Sequence, residues 1–248
     1  MGKNSKAQDL EMRRQFQEKR KQEEEAKRRA QNRLMWQIIA GTLAIILLAV
    51  GIPMGVRACQ NSQQIRFGEI EGYKTDSGIT KYVRMDVTYT DSNGKLVGGS
   101  IVIELDSTAA PRTVENFQSL VYEQFYDGLT FHRIIKDVMI QGGYPSGDGT
   151  GGSPNKIVGE FSSNGIENNL KHTRGVISMA RSTAYNSASS QFFIVHQTSP
   201  HLDGDYAAFG IVTYGMETVD AIANVAVTGS TPVNPVTIQA AYFVSPTN

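Results

Sequence analysis

A run of 23 residues without a charged side chain divides this chain and constrains its organisation more than any other feature. The run is LMWQIIAGTLAIILLAVGIPMGV, residues 34–56. As an α-helix it would be roughly 34 Å long, enough to cross a hydrocarbon core of about 30 Å. We therefore predict a transmembrane helix, with Trp36 at one membrane interface.

Positive charge before the run predicts the orientation of this helix. Residues 1–33 contain 11 Lys and Arg against 6 Asp and Glu, a net charge of +5, and they lack the apolar repeat of a coiled coil. On the other side, only Arg57 and Arg66 follow closely. The positive-inside rule then predicts a single-pass protein of the cell membrane, with the tail 1–33 in the cytoplasm and the rest of the chain outside.

Two alternatives to an uncleaved signal anchor involve the residues just after the run. The sequence VRAC around Cys59 loosely resembles a lipoprotein cleavage site, and Val56 and Ala58 could serve a signal peptidase. Both alternatives require a short leader, whereas 33 residues precede the apolar run. We favour the uncleaved anchor. As the single cysteine, Cys59 also excludes an intrachain disulfide.

Residues 57–80 are polar and are predicted to form a linker, whereas residues 81–248 have the pattern of a compact β-rich domain. The segment MDVTYT alternates apolar and polar residues as a half-buried strand does, and Asn93-Gly94 is typical of a hairpin turn before the next strand, SIVIEL. Two segments have helical spacing, PRTVENFQSLVYEQF and METVDAIANV. Six more short strands are predicted, LTFHRII, VMIQGG, GVISMA, SQFFIVH, AAFGIVT and TIQAAYFV. This composition predicts a mainly β fold, a closed antiparallel barrel with helices at its ends, because closure removes exposed strand edges.

Charge and motif content argue against several classes of function. Residues 34–248 carry 13 Lys and Arg against 18 Asp and Glu, so a nucleic-acid partner has little electrostatic support. The four histidines lack metal-ligand spacing, and the serines lack a G-x-S-x-G motif. The segment GDGTGG, residues 147–152, is not flanked by the strand and helix that dinucleotide binding requires. We predict no metal and no cofactor.

Six motifs together resemble a bacterial-type cyclophilin in their order and spacing. They are VENF (114–117), FHRIIKDVMIQGG (131–143), GDGTGG (147–152), LKHTRGVISMAR (170–181), NSASSQFFI (186–194) and LDGDYAAFG (202–210). The resemblance covers residues 81–244, about two-thirds of the chain. It implies an eight-stranded closed antiparallel barrel capped by two α-helices, and a peptidyl-prolyl cis-trans isomerase whose substrates are proline-containing polypeptides. With the predicted topology, those substrates would be extracytoplasmic proteins that the enzyme helps to fold.

The same resemblance implies which residues form the site. Arg133 corresponds to the catalytic arginine of the family, and Gln141 to its hydrogen-bonding glutamine. The positions expected to bind substrate are Val138, Met139, Ala180, Arg181, Gln191, Phe193, His201, Leu202 and Tyr206.

An arginine in an apolar strand needs a reason, because an unpaired buried charge is costly. We predict that Arg133 stands at the edge of an apolar slot, where it donates to the prolyl nitrogen as the amide twists. The alternative is a structural ion pair between Arg133 and an acidic residue of the barrel.

Three positions depart from the family pattern. Val138 replaces the phenylalanine of the pocket, His201 stands where many eukaryotic members have tryptophan, and Tyr206 stands where they have histidine. Cyclosporin binding is therefore expected to be weak. Val138 is also the feature that supports the alternative function, a membrane-tethered proline-binding chaperone or scaffold module with little turnover.

Overall fold

The computed structural model describes residues 65–145 and 151–247 of the chain. The tail 1–33, the predicted transmembrane helix 34–56 and Cys59 lie outside these ranges. Within them, neither α-helix combines the length and the apolar composition that a bilayer span requires.

A nine-stranded antiparallel sheet forms most of the described structure. In chain order the strands are β1 (Tyr73–Thr75), β2 (Tyr82–Thr90), β3 (Leu96–Leu105), β4 (Arg133–Ile135), β5 (Met139–Gly142), β6 (Val176–Met179), β7 (Phe192–Val195), β8 (Ala208–Tyr214), β9 (Val227–Thr228), β10 (Thr231–Pro232) and β11 (Thr237–Pro246). Their order in the sheet is β1-β11-β2-β3-β8-β6-β7-β5-β4, while β9 and β10 form a separate hairpin. The mainly β fold and each of the predicted strands are confirmed; β1, β9 and β10 were not predicted.

The prediction of a closed barrel is wrong, because the sheet does not close. Its end strands, β1 and β4, do not pair with each other. Near β4, the amide of Ile134 donates to the carbonyl oxygen of Ser230 at 2.7 Å, so the turn of the β9–β10 hairpin lies where a pairing strand would. The residues just before β4 reach β11 through an isolated bridge between Thr130 and Thr237 and through hydrogen bonds of Gly128 and Leu129 with Ile238.

Two α-helices pack on the sheet, as predicted. Helix α1 (Pro111–Tyr122) begins with proline, whose missing amide hydrogen costs nothing in the first turn. The buried carboxylate of Glu160 accepts hydrogen bonds from the amides of Arg112 and Thr113 at 3.1 and 2.8 Å, so it caps this end of the helix. Helix α2 (Met216–Ala223) follows β8 directly. Both helices end before the last residues of the predicted segments.

The main core lies between these helices and one face of the sheet. Phe117 of α1 packs against Phe192 and Phe209 of the sheet, with ring centroids 5.7 and 5.1 Å apart. Tyr126 and Phe131 complete the aromatic cluster by packing edge-on against Phe192. Burial of these large side chains is a main contribution to the stability of the domain.

Residues 65–75, which belong to the predicted linker, also lie against the sheet. Ile70 is only 5% exposed and packs with the buried Val102 and Val244. Nearby, the guanidinium of Arg84 donates to the carbonyl oxygen of Gly68 at 2.8 Å. The structured domain therefore begins well before residue 81.

Candidate active site

Along four neighbouring strands, side chains point alternately to the core and to the opposite face of the sheet, where the predicted site residues lie side by side in a row. One face of β4, β5, β6 and β7 carries the core residues Ile134, Ile140, Ile177 and Ile194. On the other face, called the outer face below, Arg133 pairs with Gln141, Gln141 with Phe193, and Phe193 with Ser178. Arg133 is exposed on this face, so its charge is not buried within the apolar strand.

A cavity of about 490 Å³ opens on the outer face beside this row. It brings together every predicted site residue except Gln191. Its lining consists of Arg133, Ile135, Val138, Met139, Gln141, Ala180, Arg181, Phe193, His201, Leu202 and Tyr206. Gln191 lies in an adjoining cavity, which shares Gln141, Ala180 and Arg181 with the first.

The floor of this cavity is apolar and buried. Met139 and Phe193 are each 5% exposed and belong to a small apolar cluster separate from the main core. Tyr206 stands edge-on to Phe193, with ring centroids 5.7 Å apart and planes at 86°. Leu202, at the end of a short 3₁₀ helix (Pro200–Leu202), packs against the same cluster. Such a floor suits a small apolar ring.

Arg133 is held by a chain of side-chain hydrogen bonds. Its Nη1 donates to Oε1 of Gln141 at 3.2 Å, and Nε2 of Gln141 donates to Oε1 of Gln191 at 2.9 Å. Nε2 of Gln191 in turn donates to the carbonyl oxygen of Gly151 at 2.7 Å. No carboxylate of the described residues lies within 4.0 Å of Arg133, so this part of the chain does not supply the alternative ion pair. Apart from the bond to Gln141, the guanidinium of Arg133 has no hydrogen-bond partner among the described residues.

Arg181 is fixed by aromatic rings, which the sequence did not reveal. Its guanidinium lies 5.1 Å from the ring centroid of Phe161, 5.0 Å from that of Tyr185 and 4.8 Å from that of Tyr206. Its Nε also donates to the carbonyl oxygen of Asp205 at 2.8 Å. These cation–π contacts tie three loops together at the rim of the cavity.

His172 lies directly behind the cavity floor and is a second feature that motif matching missed. Its side chain is 1% exposed, and its ring stacks on Phe193 with centroids 6.0 Å apart and planes at 16°. Nδ1 lies 2.9 Å from Oδ1 of Asp203, and Nε2 lies 3.0 Å from Oγ of Ser178. Burial lowers the pKa of His172, although the bond to Asp203 opposes this shift. Only its place inside the LKHTRGVISMAR motif could have drawn attention to it.

Comparison with known proteins agrees with this geometry. Residues 85–243 match the family model described as cyclophilin type peptidyl-prolyl cis-trans isomerase/CLD. Peptidyl-prolyl cis-trans isomerase B of Bacillus subtilis is 46% identical over 127 residues, which are 51% of this chain and 85% of that protein. A peptidyl-prolyl cis-trans isomerase of Synechococcus elongatus is 46% identical over 112 residues, 45% of this chain and 72% of that protein.

A solved structure is similar as well. It is a Cryptosporidium parvum cyclophilin type peptidyl-prolyl cis-trans isomerase, crystallised in the presence of the dipeptide Ala-Pro. The TM-score is 0.53 and the sequence identity 30%, over 63% of this chain and 97% of that one. With the family model matching more than half of the residues, this chain belongs to the cyclophilin-type peptidyl-prolyl cis-trans isomerases, enzymes that interconvert the cis and trans forms of peptide bonds preceding proline.

Proposed function

We propose that this isomerase acts on X–Pro bonds of extracytoplasmic proteins and that Arg133 is its catalytic residue. The observation that carries the proposal is the position of Arg133. Arg133 lines the cavity whose floor is apolar, and its guanidinium donates one hydrogen bond, to Gln141, among the described residues. If a proline ring binds in this cavity, its nitrogen would lie close to a donor in this position.

The chemistry of the reaction needs such a donor and little else. Resonance holds the X–Pro amide planar, with a rotation barrier of about 18–20 kcal/mol. When the C–N bond twists, resonance is lost and a lone pair forms on the prolyl nitrogen. A guanidinium aimed at this nitrogen stabilises the twisted state more than the planar one, which is the condition for faster turnover. Arginine stays protonated at any ordinary pH, so the donor is always present.

Other residues would hold the substrate around the twisting bond. Met139, Phe193 and Leu202 would enclose the pyrrolidine ring, because they form the apolar floor and wall. Gln141 would fix the direction of the guanidinium through its hydrogen bond. A millionfold acceleration corresponds to about 8 kcal/mol, which positioning, exclusion of water and one charged donor together could supply.

The direct test is exchange spectroscopy on a capped Ala-Pro peptide. We expect catalytic amounts of the full-length protein in detergent micelles to broaden and merge the cis and trans proline signals in NMR spectra, because exchange that normally takes tens of seconds becomes fast. Micelles without protein are the control. Binding of the peptide without faster exchange would instead favour the alternative function, a proline-binding chaperone or scaffold module.

The valine at position 138 supports this alternative function, and it also provides a second test of the proposal. Val138 is half-buried in the cavity wall, where an aromatic side chain would add a flat face against the proline ring. We expect Val138→Phe to raise kcat/KM about 3–10-fold, since an aromatic contact contributes about 0.5–1.5 kcal/mol. The same change at Val227, a 40% exposed residue of the β9–β10 hairpin, should leave kcat/KM unaltered. A fall in kcat/KM of Val138→Phe would mean that the pocket has no room for the ring.

We also propose that the enzyme is a bacterial-type, membrane-anchored member of the family, with the isomerase domain outside the cell membrane. The support is the uncharged run 34–56 with the basic residues before it. Protease added to intact cells should therefore remove the isomerase domain and spare a fragment containing the tail 1–33. Protection of the domain until the cells are lysed would contradict this topology.

A further inference from the structure

His172 joins two parts of the cavity wall without lining the cavity itself. Its ring backs Phe193, which forms the floor. Its backbone amide and its Nδ1 both bond to the carboxylate of Asp203, at 2.8 and 2.9 Å, and Asp203 directly follows Leu202 in the wall. Movement of His172 would therefore shift floor and wall together.

The third bond of His172 reaches the neighbouring strand. Ser178 lies opposite Phe193 in the β6–β7 register, and its side chain is fully buried. Among the described residues, the Ser178 hydroxyl has one hydrogen-bond partner, Nε2 of His172 at 3.0 Å. The imidazole is thus fixed at both nitrogens, and its plane sets the plane of the Phe193 ring stacked on it.

The neutral imidazole satisfies these bonds in one of its two tautomers. A carboxylate only accepts, so Nδ1 carries the hydrogen that faces Asp203, and Nε2 then accepts from the hydroxyl of Ser178. Burial lowers the pKa of His172 and so favours this neutral form. The charged groups facing it are Asp203, Lys171, whose Nζ lies 3.9 Å from Asp203, and His201 when protonated. Protonation of Nε2 would reverse this bond, so that Oγ of Ser178 would have to accept, and would place a positive charge on a buried ring behind Phe193.

We propose that neutral His172 is a positioning residue, which holds Phe193 and Leu202 at the spacing that a proline ring requires. The inference rests on the proposed function, since it concerns the same cavity. The proline ring of the substrate is bound in the same way whether the X–Pro amide is planar or twisted. Loss of His172 therefore weakens binding of both states to a similar extent. Such a loss of uniform binding raises KM and leaves kcat nearly unchanged.

The test compares three variants of the full-length protein. We expect His172→Ala to raise KM for the capped Ala-Pro peptide about 10-fold, with kcat changed less than about 3-fold. His172→Gln should recover part of the affinity, because an amide both donates and accepts. Asp86→Asn is the control for stability, since Asp86 is 5% exposed and bonds Arg84 and Tyr242 on β2 and β11, away from the cavity. It should destabilise the fold without changing KM.

A pH profile separates positioning from simple structural support. Peptide affinity should fall as the pH drops through the lowered pKa of His172, because protonation reverses the bond to Ser178 and places a charge directly behind the cavity floor. The fall should persist in a His201→Gln background, since His201 also lines the cavity, and should vanish in His172→Gln. Equal KM values for wild type, His172→Ala and Asp86→Asn, or a pH profile that His172→Gln does not change, would overturn the inference.

NMR titration measures peptide affinity, and exchange spectroscopy measures turnover separately. Failure of the proposed function can therefore be distinguished from failure of the positioning role. If the wild type binds the peptide without accelerating exchange, the proposed function fails while the positioning role of His172 is still measured in the dissociation constant. If the wild type accelerates exchange and His172→Ala binds equally well, only the positioning role fails.

Discussion

Arg133→Ala should lower kcat/KM for an Ala-Pro peptide by about 10²–10³-fold, the usual effect of removing one preorganised donor to a transition state. The loss should appear in kcat rather than KM, because the lone pair on the prolyl nitrogen exists only when the amide is twisted. Exchange spectroscopy at several peptide concentrations gives both constants.

Two further variants make this result specific. Arg133→Lys keeps the charge but loses the planar fork of donors, so we expect it to remain well below wild type. Arg112→Ala is the matched control, since Arg112 is another exposed arginine, on α1, that does not line the cavity. Retention of at least half of the wild-type kcat/KM in Arg133→Ala would contradict the proposed role of this residue.

The second large effect concerns the segment before residue 81. A chain that starts at residue 81 should have a free energy of unfolding about 3 kcal/mol lower than a chain that starts at Ile65, roughly the contribution of one or two buried aliphatic side chains. The shorter chain lacks Ile70 and exposes Val102 and Val244. It also lacks β1, which pairs with β11 at Val244.

Urea denaturation followed by circular dichroism measures this difference. Neither chain contains the predicted membrane segment, so the comparison isolates residues 65–80. Ile70→Ala in the longer chain should reproduce a large part of the loss, since it removes the buried side chain and keeps the backbone pairing of β1. Equal midpoints for both chains would mean that the segment adds nothing to stability.

Most of the fold could be predicted because local periodicity encodes it. The alternation in MDVTYT corresponds to β2, and the helical spacing after Pro111 corresponds to α1. The N-terminal strand could not be predicted in this way. It has only three residues, and its partners, Val244–Pro246, are distant in the chain, so no local pattern marks it. The open sheet could not be predicted for a similar reason. Whether the sheet closes depends on the contact between Ser230 and Ile134, which lie far apart in the chain.

The candidate site could be predicted from motifs, although its geometry could not. Alternation places Met139 and Gln141 on one face of β5, the β4–β5 register brings Arg133 to the same face, and the family resemblance added the residues from distant segments. The rings around Arg181 come from Phe161, Tyr185 and Tyr206, which lie outside any periodic segment. Contacts of this kind depend on how loops meet after folding, and a sequence pattern does not encode them.

The outward side of β11 bears on how this domain avoids edge-to-edge association. At one end of this strand β1 is paired, and at the other Ile238 exchanges hydrogen bonds with Gly128 and Leu129, both at 2.8 Å. Between them, the carboxylate of Asp127 accepts the amide hydrogen of Ala241 at 2.8 Å. Little backbone is left on this side of β11 to serve as a template for a foreign strand, so this side of the strand is protected from edge-to-edge pairing.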